Sequence, residues 1–158
     1  MKMFRRLLLL CLLTAGLLTI GAPAFADSPP VTETNVAKTV ETFVDTLPSC
    51  AGGGALYTQT TTSTSVDRTT IFDDGRRHGH FTDTGTFVAV PFDDPSLPSY
   101  TGKFTIAIDF NQNDTTVNFT VTFLIQGTGS DGSTLSSNDV EHFNVLPDGT
   151  VHEFFRCH

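Results

Sequence analysis

The chain has 158 residues, with 17 Asp and Glu against 9 Lys and Arg, for a formal charge of −8. Lys103 is the one lysine in the body of the domain, so an electropositive surface for nucleic acid or for anionic lipid is excluded. The length suits a single domain.

The first 26 residues read as a secretory signal peptide. Lys2, Arg5 and Arg6 form a basic start, Leu7 to Ile20 is an apolar stretch, and Ala24-Phe25-Ala26 gives the small-x-small pattern of a cleavage site. The apolar run is too short, and Gly21 and Pro23 follow too soon, for a membrane span. Export with cleavage after Ala26 leaves a secreted chain of 132 residues with 6 basic and 17 acidic groups. Two cysteines remain, Cys50 and Cys157. In an oxidising compartment they are expected to pair, and two cysteines alone do not make a closed metal site.

Residues 27–38 read as a flexible N-terminal segment, with the folded domain over 39–158. Residues 34–47 are ambiguous. Val36, Val40, Phe43, Val44 and Leu47 fall at helical spacing before Pro48, but 39–46 is also rich in β-branched residues, and a strand is the preferred reading. Beyond Cys50, Thr and Phe dominate (26 and 14 residues in the whole chain), and no long helical stripe appears. Alternation is strict in two segments. Phe104, Ile106, Ile108 and Phe110 share one side of 103–112, and Val117 to Ile125 repeats the pattern in 117–126. Turn signals at Asp73-Asp74-Gly75, 111–116, 127–133 and Pro147-Asp148-Gly149 delimit strands at 55–72, 77–90, 102–111, 117–127, 134–146 and 150–157. "PFDDPSLPSY" (91–100) is a longer irregular loop.

Cysteine parity constrains the layout. No Gly, Pro or Asn between 55 and 72 permits a tight turn, so this stretch is one long strand. Six alternating strands then bring both cysteines to the same end. Splitting 55–72 in two would leave them roughly 20–30 Å apart, whereas a disulfide needs Cα atoms within about 7 Å. The expected fold is an all-β, single-domain antiparallel up-and-down barrel of six to eight strands, closed by one Cys50–Cys157 disulfide; a β-sandwich is the alternative.

Several segments together carry a resemblance: "DTLPSC" ahead of the long Thr-rich strand, "TGTFVAVP", "PSYTGKFT", "GTGSDGS" and a final Cys. They resemble small secreted proteins of high-GC Gram-positive bacteria (actinomycetes) over about residues 39 to 157. The meander is also similar, at the level of fold, to lipocalin-like and allene-oxide-cyclase-like barrels. The resemblance implies a fold and a compartment; no catalytic set maps onto these residues.

Candidate chemistry centres on His78 and His80, which share a face of strand 77–90 opposite Phe81 and Phe87. Alternation does not say which face points inward. If the polar face does, His78, His80 and His142 are the candidate catalytic residues of a small cyclase- or isomerase-type barrel enzyme, with Asp83 or Glu141 as partner. A metal on the two histidines needs a third ligand from His142, Glu141, His152, Glu153 or Asp131, and no fixed spacing supplies one. No cofactor is called for. Tyr100, Lys103 and Asp131 are the candidate binding residues, on a rim formed at the cysteine end by loops 91–100 and 127–133. The preferred function is a secreted binding or interaction module for a small molecule or extracellular partner; the enzyme and a passive envelope or matrix protein are the alternatives.

Overall fold

The computed structural model describes residues 29–158. The expected signal peptide, 1–26, and its cleavage point after Ala26 lie outside the described residues. Seven strands follow in chain order: β1 (Val31–Thr46), β2 (Leu56–Ile71), β3 (Arg77–Pro91), β4 (Tyr100–Gln112), β5 (Val117–Gly129), β6 (Thr134–Val145) and β7 (Val151–Cys157). All are antiparallel to their neighbours in one sheet of order β1-β2-β3-β4-β5-β6-β7. The alternative of a two-layer sandwich is therefore not formed. Among the described residues there is no helix, and hence none long and apolar enough to cross a membrane.

The long strand predicted over 55–72 is present as β2, unbroken. One correction concerns its partner. From Val31 onward, the segment expected to be flexible over 27–38 is the first half of β1. Its residues Val31 to Lys38 pair with Ile71 to Thr64, the half of β2 that would otherwise have an unpaired backbone on that side. Pairing over the full length also removes the helical option for 34–47.

Directly opposed residues of an antiparallel pair project to the same side, so the registers define two faces. One carries the odd positions of β1 to β3, the even positions of β4 and the odd positions of β5 to β7. This face holds all the buried hydrophobic side chains and is the inner one. The other takes most of the strand threonines, including Thr58, Thr60, Thr62 and Thr64 on β2 and Thr82, Thr84 and Thr86 on β3. Short hydroxyls suit it: β-branching favours the extended backbone while the oxygen meets water. Thr32 with Thr70, and Thr42 with Thr60, share cross-strand hydrogen bonds of 2.9 and 3.0 Å.

Three hairpins reuse one turn. Phe72 to Arg76, Gly129 to Ser133 and Leu146 to Thr150 each contain Asp-Gly with the glycine at positive φ (84°, 85° and 81°). In each, the glycine amide donates to the carbonyl three residues earlier, and the first residue's amide donates to the fifth residue's carbonyl. The aspartate Oδ1 of Asp74, Asp131 and Asp148 accepts from the amide two residues on, at 3.1, 2.9 and 2.9 Å. This is a type I turn closed by a left-handed glycine and fixed by an aspartate side chain.

Curl comes from glycines facing phenylalanines. On the inner face Gly79 opposes Phe110, Gly85 opposes Phe104 and Phe87 opposes Gly102, and Gly102 in turn opposes Gly127. A Cβ at Gly79 would overlap the Phe110 ring, and one at Gly127 would meet the Phe87 ring at 2.8 Å. Each ring therefore lies across a missing side chain, and the small stripe from β3 to β5 lets the sheet bend. Tyr57, Phe87, Ala89, Phe104 and Ile125 form the buried core, flanked by Leu47, Tyr100 and Leu135.

The Cys50–Cys157 disulfide ties the β1–β2 loop to the end of β7, with Cα atoms 5.4 Å apart. A flat sheet would separate them by about five strand spacings, ~24 Å. The sheet is therefore strongly curled at this end. Two buried polar groups fit the same region. Gln59 Nε2 donates to the backbone carbonyls of Asp45 and Thr46, both at 3.3 Å. Ser137, fully buried, donates its hydroxyl to Asp139 at 2.8 Å and lies 3.6 Å from Cys157 Sγ.

Candidate functional site

The histidines lie on the outer face. His78 Nδ1 pairs with Asn111 Oδ1 at 2.7 Å, His80 Nδ1 with Asp109 Oδ1 at 2.6 Å, and His142 Nδ1 with Thr120 Oγ1 at 2.9 Å. Each pair joins directly opposed residues of neighbouring strands. All three histidines are exposed. His80 and His142 occupy the same cross-strand row but are separated by β4 and β5, about 14 Å along the sheet. Asp83, Glu141 and Glu153, the anticipated carboxylate partners, project from the opposite face. The inward orientation on which a pocket base depends belongs to Phe81 and Phe87 instead. His78 borders an open hollow of about 330 Å³ with Phe72, Arg76, Arg77 and Asn113, a mixed surround.

Among the described residues, the group of potential metal ligands that comes together is Cys50, Asp139 and Cys157, with ligand atoms within 4.8 Å of one another. Its two sulfurs are bonded to each other and are not free to coordinate.

The rim residues divide. The Tyr100 phenol oxygen accepts from the Ser133 hydroxyl at 3.0 Å, and its ring meets Tyr57 edge-on at 6.0 Å between centroids. Asp131 holds the turn beneath it through the Ser133 amide. The two rim loops are joined: the Ser130 amide donates to the Ser99 carbonyl at 2.8 Å, and the Ser99 amide to Ser130 Oγ at 3.2 Å. They thus share one end, the cysteine end. Burial foremost, and then the neighbouring Tyr100, Asp131 and Asp94, hold the Tyr57 phenol above its ordinary pKa. Lys103 is exposed on the outer face, away from this cluster.

The feature that reading segment by segment missed is the distribution of charge between faces. The inner face carries Glu33, Glu41 and Asp45 on β1, Asp67 on β2, Asp83 on β3, Asp139 and Glu141 on β6, and Glu153 on β7, against Arg77 alone among the bases of the described strands. The outer face carries Lys38, Arg68, Lys103 and Arg156, with four histidines and the single strand carboxylate Asp109. The inner positions of β4 and β5 carry no charge and include Phe104, Ile106, Ile108, Phe110, Phe119, Val121, Phe123 and Ile125. The signal was present as phase. Asp83 is in step with Phe81 and Phe87, and Asp139 and Glu141 are in step with Leu135 and Phe143.

The inner face also changes along its length. Near the disulfide it is filled by the core. Toward the far end Phe81, Phe110, Phe119 and Phe143 are only half-buried, and Phe155 is 48% exposed. Phe119 and Phe143 stack at 4.7 Å between centroids. No family model matches the chain, and comparison with curated proteins and with solved structures gives no match.

Proposed function

We propose that the chain is an exported binding module, its sheet curled into an incomplete barrel whose concave side, away from the disulfide, receives a ligand. The observation that carries this is the half-buried aromatic surface of that side. Phe81, Phe110, Phe119 and Phe143 turn inward and stay partly exposed, while most of the strand threonines project from the other face, beside the exposed Val36, Val40, Val88 and Val90. Partly exposed apolar surface in a concavity is the usual form of a small-ligand site. The signal-like leader over 1–26 and the disulfide both suit an extracellular protein. Removal of the leader gives a chain of 6 basic and 17 acidic groups, which favours solubility outside the cell.

The rim at the cysteine end has a different role in this proposal. Its loops are bonded to each other and to Tyr100, which lies against the buried Tyr57. They close the filled end and leave the opposite end open.

An NMR screen with uncharged aromatic fragments tests the proposal. Binding is expected to shift the methyl signals of Ile106, Ile108 and Val121. Shifts confined to outer-face signals such as those of Val88 and Thr84, or no shift with any fragment, would refute it.

A further inference from the structure

We infer that the ligand of the concave face is an amphipathic organic cation, an apolar body bearing an ammonium or guanidinium group. This rests on the binding reading above and adds the chemistry of the occupant. The uncharged inner surface of β4 and β5 is a floor with an acidic bank on either side. In one cross-strand row Asp67 precedes Phe81, Ile108 and Val121, and Glu141 follows them. In the next row toward the disulfide Asp83 precedes Ile106 and Phe123, and Asp139 follows them. A ligand lying on the floor is thus within reach of carboxylates from both sides, and Arg77, the one inner base of the described strands, is the first residue of β3, at the end away from the disulfide.

An independent observation concerns Asp83. Its Oδ1 is buried and meets no hydrogen-bond donor. A buried carboxylate oxygen without a partner costs free energy, and such a group calls for a donor from outside the fold. An ammonium or guanidinium N–H on a ligand supplies one. The aromatic rings add to the selectivity, because their faces attract cations. An anionic amphiphile would meet the same hydrophobic floor but would be repelled by both banks, and a neutral one would gain no charge attraction from either.

The test compares three probes of equal apolar bulk, 1-naphthylmethylammonium, 1-naphthylmethanol and 1-naphthalenesulfonate, titrated into the disulfide-bonded protein and followed by NMR. The cation is expected to bind about tenfold tighter than the alcohol, equivalent to about 1.4 kcal/mol, and the sulfonate more weakly than either. Asp83→Asn and, separately, Asp67→Asn are expected to narrow the cation-to-alcohol ratio by weakening the cation more than the alcohol. The second variant retains the test should the first fail to fold. Raising the salt concentration should narrow the ratio as well. Equal affinity for cation and alcohol, or a ratio unchanged in both variants, overturns the charge inference while leaving the binding proposal standing. No inner-face shift with any probe overturns both.

Discussion

At Gly102 a methyl group would overlap the Gln126 carbonyl oxygen and lie 2.6 Å from the Gly127 Cα, both backbone atoms of the adjacent strand. Gly85 is similarly confined by the Thr62 carbonyl and by the Phe104 ring, 2.9 Å away. Backbone cannot step aside as a side chain can, so Gly102→Ala is expected to destabilise the fold by about 1–3 kcal/mol, read as a lowered midpoint in urea denaturation; an unchanged midpoint would contradict the packing described. His80 provides the contrast. Its contact with Asp109 is made between side chains 48% and 55% exposed, and exposed pairs contribute about 0–1 kcal/mol. His80→Ala should therefore leave the midpoint nearly unmoved, and a large loss would show that the outer face has a structural role not visible in its contacts. The sequence alone assigns these glycines no role. Their meaning comes from the register, which sets each opposite a phenylalanine.

At the scale of the element, the strands in strict alternation were legible with close bounds, because one face is apolar and the other polar. The start of β1 was not. Val31 to Asn35 has no apolar period, and only pairing with the far half of β2 makes it a strand. Alternation in β3 separated the histidines from the phenylalanines but could not say which set faces inward; that depends on the curl. The turns were legible as Asp-Gly and carry a pH consequence. The Arg76 amide foremost lowers the pKa of Asp74, the Ser133 hydroxyl that of Asp131 and the Thr150 amide that of Asp148, and in the 91–100 loop the Ser96 hydroxyl lowers that of Asp94. A carboxylate whose folded pKa lies below its unfolded value of about 3.9 contributes stability that is fully present above that value. The contribution is lost as pH falls through the lower folded value. Stability is thus expected to hold from pH 7 to about pH 5 and to decline below pH 4, as measured by urea denaturation across that range. A midpoint that stays constant down to pH 2.5 would contradict the role given to these turns.

For the whole molecule, the pairing of Cys50 and Cys157 was legible from compartment and strand parity. The segregation of charge was not, since it emerges only when seven registers are combined. The disulfide closes a loop spanning 107 positions, for which chain entropy gives a stabilisation of about 5 kcal/mol. The double variant Cys50→Ser, Cys157→Ser should lose about that much in urea denaturation, and a loss near zero would mean that the curl persists without the bridge. What the curl creates is the acidic, aromatic concavity, and its occupancy is the point to measure. A crystal structure of the protein with 1-naphthylmethylammonium is expected to show the naphthyl ring on the β4–β5 floor and the ammonium beside Asp83. The cation should lie within about 6 Å of a phenylalanine ring. A ligand found on the threonine face or among the rim loops would contradict the assignment of the concave side as the binding surface.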